Sequence, residues 1–261
     1  GLRGLHKDNI VDNPRLDTAC RSLSYAVAKS VNPVMGKLAL KYLNAKRLKR
    51  WAERYGFNKT IPFELPMRPS TAAVPSDRLE LARVSAGFWH TELSPLHGAL
   101  IASVAANKGL MRWPSVVREV VKADGSVETP APTQGERVLS RQAARHLAQM
   151  MVRTTTMGTA RKAFNTRRGR PLLGGMKVGG KTGSLSRNDP FLSYSWFVGF
   201  APAQNPKVAF AVLLGNPAKW RIKAHTAARM LLSRYVDNLK KAEKKQRKLA
   251  LRQAASPSPP L

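Results

Sequence analysis

Lys181-Thr182-Gly183 places an ammonium group beside a hydroxyl group, and both can donate hydrogen bonds to an anion or a carbonyl oxygen. The triplet follows Gly179-Gly180 and precedes the aromatic run 194–200, which predicts that it lies on a strand next to that run. A Lys-Thr-Gly triplet arises by chance in about one chain in twenty of this length. It is the most specific signal in the sequence, although alone it only suggests a site.

Ser30-Val31-Asn32 is the second candidate, because a hydroxyl and a carboxamide two residues apart can both point into one cleft. The pattern lies where a helix is predicted to break. A Ser-x-Asn triplet is expected about once per chain by composition, and Ser186-Arg187-Asn188 is another. A serine that caps a helix or a turn explains either triplet equally well.

The segment 175–182 also matches the phosphate-binding pattern G-x-x-x-x-G-K-[ST]. That motif requires a buried strand before it and a helix after it, because the helix N-terminus holds the phosphates. Here the basic stretch 161–170 precedes it, and Gly183, Asp189 and Pro190 lead into a predicted strand. The sequence therefore disfavours nucleotide binding.

The elements that position these residues are predicted from apolar spacing, prolines and capping residues. Residues 18–50 predict two helices joined by a turn at Asn32-Pro33, and four prolines between 61 and 75 predict a loop. Ser94-Pro95 and Ser140 predict the starts of two further helices, which extend to 106 and 152. The other predictions are a strand within 114–121, a turn at Asp124-Gly125, a hairpin of 194–200 with 208–214, and one long helix over 224–252.

The composition limits the class of partner. The 261 residues are 43% apolar, enough for one main core, and they carry a formal net charge of +30. This charge predicts attraction to polyanions such as nucleic acid, anionic lipid or acidic wall polymers. No nucleic acid is expected as a partner, because no recognition helix, zinc finger or aromatic sheet signature occurs. Cys20 stands alone and the five histidines show no metal spacing, so we predict neither a metal nor a cofactor.

Taken together, Ser-x-Asn at a helix break, Lys-Thr-Gly later in the chain and then 195–202 resemble the penicillin-binding transpeptidase family, of the serine β-lactamase/D,D-peptidase superfamily. The resemblance covers about residues 10 to 235 and includes supporting segments such as Gly158-Thr159-Ala160. It implies an α/β fold of the α+β type, with an antiparallel sheet flanked by helices and incomplete at the N-terminus. It also implies acyl transfer for peptidoglycan cross-linking.

The resemblance implies roles for two sets of residues. The Ser30 hydroxyl would relay a proton to the leaving amine, Asn32 would hold the substrate amide, and Lys181 would supply positive charge. Thr182 and Ser184 would bind the carboxylate of a D-Ala-D-Ala stem peptide or of a penicillin, and the Ser184 N–H would supply half of an oxyanion hole. The catalytic set is thus Ser30, Asn32 and Lys181, and the substrate-binding set is Thr182, Gly183 and Ser184.

One family element is missing. The Ser-x-x-Lys pattern supplies the acylated serine and its lysine base, and it occurs nowhere in the 261 residues. We expect the chain either to be truncated or not to be self-sufficient. Within the family, a D,D-transpeptidase is favoured over a β-lactamase because no glutamate segment could be placed as a deacylating base. The alternative is a non-catalytic or degenerate penicillin-binding or sensor domain attached to an anionic wall or membrane surface.

We predict the C-terminal part of a penicillin-binding transpeptidase domain over residues 1–236, followed by a basic helical extension and a disordered Pro/Ser tail over 237–261. The expected partners are peptidoglycan stem peptides and β-lactams, with anionic membrane or wall polymers as a further class. The expected location is extracytoplasmic, on the periplasmic face of the inner membrane, through an N-terminal anchor absent from this chain.

Overall fold

The computed structural model describes residues 4–15, 17–131, 133–218 and 221–254. The helices are α1 (Leu23–Lys29), α2 (Asn32–Tyr42), α3 (Ala45–Arg54), α4 (Arg78–Ser85), α5 (Pro95–Ala106), α6 (Arg141–Thr156), α7 (Arg161–Phe164) and α8 (Ala224–Ala254). The strands are β1 (Thr71–Ala72), β2 (Thr91–Glu92), β3 (Leu110–Arg112), β4 (Val120–Val121), β5 (Val127–Glu128), β6 (Gly135–Arg137), β7 (Gly179–Asn188), β8 (Phe191–Ala201) and β9 (Val208–Asn216).

The central sheet is antiparallel, in the order β7-β8-β9. Its register pairs Thr182 with Phe197, and Phe197 with Val212. Strand β7, which carries the Lys-Thr-Gly triplet, therefore forms one edge of this sheet. The other strands form three separate pairs, β1 with β2, β3 with β6, and β4 with β5.

One face of the sheet packs on a core around Phe197, whose side chain is fully buried. Its ring contacts the rings of Phe164 and Phe210, at centroid distances of 5.5 and 5.8 Å. Helix α8 covers this core with three buried residues spaced four apart, as expected for one apolar helix face: Ala224, Ala228 and Leu232.

Helix α5 covers the opposite face and approaches the sheet closely at Gly98. A Cβ added there would lie 3.3 Å from Val198 and 3.4 Å from Ala211, on β8 and β9. Helix α6 packs beside the sheet, where the Thr155 hydroxyl donates to the Val178 carbonyl at 2.7 Å. An antiparallel sheet flanked by helices is thus present, and the predicted fold class is confirmed.

The prediction of two helices over 18–50 is wrong. Asn32 is the first residue of α2, and Pro33 fits its first turn because proline lacks only a donor that is unpaired there anyway. A further break ends α2 at Tyr42, and Asn44 caps α3 by accepting a hydrogen bond from the Arg47 N–H at 2.9 Å. The segment therefore forms three helices.

Most of the other predicted elements are confirmed. Ser94 and Ser140 cap α5 and α6, a turn at Asp124-Gly125 joins β4 to β5, and β8 pairs with β9. The predicted strand within 114–121 is mostly wrong, because only Val120 and Val121 pair. The predicted loop over 61–75 contains the two-residue strand β1.

Helix α8 confirms the long C-terminal helix and runs without a break across the predicted domain boundary at 236–237. That boundary stays a prediction. Residues 255–261, at the end of the predicted extension and tail over 237–261, lie outside the described residues. Among the described helices, none is both long and apolar enough to cross a membrane.

Candidate active site

Ser30 lies at a sharp break between two helices. It ends α1 with φ 55° and ψ 54°, a left-handed conformation that glycine adopts more readily than serine. The Val31 N–H donates to the Ala26 carbonyl at 2.9 Å, which closes the helix end, and α2 starts at Asn32. The break therefore holds the Ser30 side chain at the end of a helix.

Lys181 reaches this helix end from β7. Its Nζ donates to Ser30 Oγ at 2.7 Å and to its neighbour's carbonyl, that of Thr182, at 3.0 Å. Burial lowers the pKa of Lys181 from 10.5 to about 8, because a low-dielectric surrounding disfavours the charged amine. At neutral pH the ammonium form still predominates, so the site keeps a cation beside a serine hydroxyl.

Thr182 makes the second contact that joins separate segments at this site. Its Oγ1 lies 2.7 Å from Oγ1 of Thr159, in the loop after α6. Sequence reasoning assigned no role to Thr159, although it lies in the Gly158-Thr159-Ala160 segment that supports the family resemblance. The chain between the two threonines is too long for spacing to predict their contact.

The other predicted site residues lie on the same two segments. Asn32 is buried, with 8% of its surface exposed, at the first position of α2. Gly183 lies where a Cβ would come 3.1 Å from the Cβ of Trp196, so the strand is close-packed there. Ser184 is exposed on β7 and pairs with Ser195 on β8.

The structure thus links Ser30 to Lys181 directly and connects Thr182 to Thr159. A cation, a serine hydroxyl and a threonine hydroxyl meet at one edge of the sheet, a combination that can bind a carboxylate and polarise a reacting group. Gly179 and Gly180 belong to β7 and do not open a helix, so the segment lacks the geometry of a phosphate-binding loop.

Residues 6–232 match the family described as the penicillin binding protein transpeptidase domain. The sequence is 32% identical over 200 residues to the peptidoglycan D,D-transpeptidase PbpA of Mycolicibacterium smegmatis, and 30% identical over 216 residues to PbpA of Mycobacterium tuberculosis. These matches cover 74% and 81% of this chain, but only 38% and 42% of the relatives.

Solved structures resemble the fold as well. Penicillin-binding protein A from M. tuberculosis, solved as an imipenem acyl-enzyme complex, aligns with a TM-score of 0.70 at 29% identity. The D,D-transpeptidase domain of a peptidoglycan glycosyltransferase from Eggerthella lenta aligns with a TM-score of 0.69 at 26% identity. Each alignment covers 83% of this chain, and 47% and 53% of those chains respectively.

Proposed function

The chain belongs to the penicillin-binding protein transpeptidase domain family, and we propose from this premise that it forms the substrate-binding half of a D,D-transpeptidase catalytic domain. The observation that carries the proposal is the 2.7 Å hydrogen bond from Lys181 to Ser30. It unites the Ser-x-Asn and Lys-Thr-Gly segments, which lie far apart in sequence, in one site.

The reaction proposed is acyl transfer from a D-Ala-D-Ala stem peptide to the amine of a second stem. A nucleophilic serine attacks the carbonyl between the two alanines, and the terminal D-alanine leaves as its nitrogen takes up a proton. Ser30 is suited to pass that proton, because its hydroxyl both donates and accepts hydrogen bonds and touches Lys181. Asn32 is proposed to orient the substrate amide.

Recognition of the terminal carboxylate is proposed for Lys181, Thr182 and Ser184. An ammonium group and hydroxyl donors make charge-assisted hydrogen bonds to a carboxylate. Penicillins also carry a carboxylate beside their reactive amide, so the same groups are proposed to bind β-lactams. The Ser184 N–H is proposed as one oxyanion-hole donor, since alternate N–H groups of an edge strand such as β7 point away from the sheet.

The nucleophile is proposed to come from outside these 261 residues, which contain no Ser-x-x-Lys pattern. The matched residues cover less than half the length of the two PbpA relatives. Without the nucleophile and its base, about six orders of magnitude in rate are lost in a serine hydrolase. This chain alone is therefore expected to bind ligand without turning it over.

A fluorescent penicillin tests this proposal. Two proteins are compared, this chain and the chain together with any sequence that precedes it in its reading frame, and the labelled bands are read after denaturation. We expect label on the longer form only, because it alone would hold an acylated serine. If a folded longer form carries Ser-x-x-Lys and stays unlabelled, the catalytic proposal is wrong and the sensor or binding alternative replaces it.

The location is proposed to be extracytoplasmic, where peptidoglycan is cross-linked, with the domain held near the membrane. Helix α3 supports the surface attachment. Its exposed side chains form what we call the α3 basic face: Lys46, Arg47, Lys49, Arg50 and Arg54. No described carboxylate pairs with these five groups, and the partly exposed Trp51 and exposed Tyr42 lie beside them.

This combination of basic and aromatic side chains is typical of helices that lie on anionic membrane surfaces. We therefore propose anionic lipid as the partner of the α3 basic face. Each lysine or arginine near such a surface contributes about 1 kcal/mol, an attraction that salt screens.

Co-sedimentation with phosphatidylcholine vesicles, with and without phosphatidylglycerol, tests the assignment. Replacing Lys49 and Arg50 together by glutamine is expected to weaken binding to the anionic vesicles about tenfold or more, since two cations are lost. Arg167 and Arg168, exposed in the loop after α7, supply the matched double-glutamine control. Equal effects of both double variants would mean that overall charge, and not the α3 basic face, drives attachment. Binding to isolated cell wall in preference to lipid would assign the face to a wall polymer.

A further inference from the structure

The loop after α6 touches both segments of the proposed site through one residue, Thr159. Its backbone N–H donates to the Ala28 carbonyl at 3.0 Å, two residues before Ser30. Its hydroxyl oxygen lies 2.7 Å from that of Thr182 on β7. Thr159 thus connects the helix end that carries Ser30 to the strand that carries Lys181.

The backbone side of this connection is tightly packed. A Cβ added at Gly158 would lie 2.1 Å from the Ala28 carbonyl oxygen, a distance that no side chain tolerates. The Thr155 hydroxyl also binds the Val178 carbonyl, so α6 is attached to the segment that leads into β7. The contacts of Gly158 and Thr155 therefore fix the position of Thr159 without any contribution from its own hydroxyl.

The hydroxyl pair has two possible arrangements, because each threonine has one proton and two lone pairs. If Thr182 donates, its only proton points at Thr159. If Thr159 donates, the Thr182 proton is free for another acceptor. A carboxylate beside Thr182 favours the second arrangement, and a donor to Thr182 also polarises the hydroxyl that Thr182 offers.

We propose that Thr159 is a positioning residue that donates to Thr182 and so directs the Thr182 hydroxyl at the carboxylate of the bound ligand. This inference rests on the proposed function, which gives Thr182 its carboxylate. It adds a residue that acts through Thr182 and does not touch the ligand. Thr159 also holds the helix end at Ser30 and strand β7 in fixed positions relative to each other.

Ligand binding to this chain tests the inference, with NMR titration of benzylpenicillin and of its methyl ester as the neutral probe. Thr159→Val removes the hydroxyl at nearly constant volume and is expected to weaken benzylpenicillin binding about tenfold, as for the loss of one hydrogen bond. Thr159→Ser keeps the hydroxyl and is expected to restore most of the affinity. The matched control is Thr156→Val, since that exposed hydroxyl donates to the Val152 carbonyl of its own helix.

A double-mutant comparison identifies the route of the effect. Thr182→Val is expected to weaken binding of the acid as much as Thr159→Val does. The double variant is expected to bind no more weakly than Thr182→Val alone, because Thr159 acts only through Thr182. The methyl ester is expected to lose less affinity than the acid in each variant, because its carbonyl oxygen is a weaker acceptor than a carboxylate. Additive effects, or equal losses for acid and ester, would overturn the positioning role.

The two proposals fail in different ways. If Thr182→Val weakens binding while Thr159→Val does not, the inference about Thr159 is wrong and the carboxylate site stands. If neither variant matters, or the unaltered chain shows no saturable binding, the carboxylate site itself is wrong and the inference falls with it.

Discussion

Replacing Lys181 by methionine is expected to lower the second-order rate of penicillin acylation by about 10²–10³-fold in a form that carries the nucleophile. Lys181 is the cation that contacts Ser30, and methionine fills similar space without charge or donor. The rate is measured from the time course of fluorescent-penicillin labelling. Lys177→Met is the matched control, because Lys177 is exposed just before β7 and is expected to leave the rate unchanged.

The pH dependence of the same acylation rate tests the charge of Lys181. Burial lowers the pKa of Lys181 to about 8, so the folded protein loses this proton as pH rises through about 8, well before an exposed lysine would. The carboxylate binding proposed for Lys181 uses the charged form, so the acylation rate is expected to fall over that window. The Lys181→Met variant is expected to show no such fall. A profile that is the same for both proteins, or a rate unaffected by Lys181→Met, would contradict the assigned charge.

Replacing Phe197 by alanine is expected to lower the free energy of unfolding by about 3–5 kcal/mol. The ring is fully buried between Phe164 and Phe210, so its removal leaves a cavity in the core beneath the sheet. Urea unfolding of this chain, followed by circular dichroism, measures the change. Phe191→Ala on the same strand is the control, since that ring is 47% exposed and its loss is expected to be small.

Phe197 also supports the site, because it pairs with Thr182 in the sheet register. Its ring fills the space next to Gly180, where a Cβ would lie 2.3 Å from the ring. Gly180→Ala alone is therefore expected to destabilise the protein, and less so when Phe197 is alanine. Additive losses in the double variant would show that the ring does not constrain Gly180.

The strand of Lys181 and the helices begun by Ser94 and Ser140 were predictable because their signals are local. A capping serine determines where its own helix starts, and the aromatic and β-branched residues of 194–200 and 208–214 predict a hairpin from their own composition. Only the family resemblance implied that Ser30 and Lys181 belong to one site, and their direct hydrogen bond was not predicted. The number of residues between Ser30 and Lys181 does not indicate how far apart they lie in the folded structure.

The failures have physical reasons as well. Asn44 caps α3 as a local rule predicts, but apolar residues recur at helix-like spacing on both sides of it, which concealed the break. The pairing of β3 with β6 joins short strands that lack alternation, so it depends on tertiary contacts. Thr159 meets Thr182 because α6 packs against the sheet, and a threonine in a turn carries no sign of such a partner.

The left-handed backbone of Ser30 opposes protein stability to the role proposed for its hydroxyl. A serine held there costs about 1 kcal/mol relative to the glycine that usually ends a helix in this way. A design for thermal stability that follows the preference for glycine at helix C-termini would replace Ser30 by glycine. The stabilised variant would lack the hydroxyl that Lys181 contacts. The gain in melting temperature would then hide the loss of the proton relay proposed for Ser30, so Ser30 should be left out of any stabilising library.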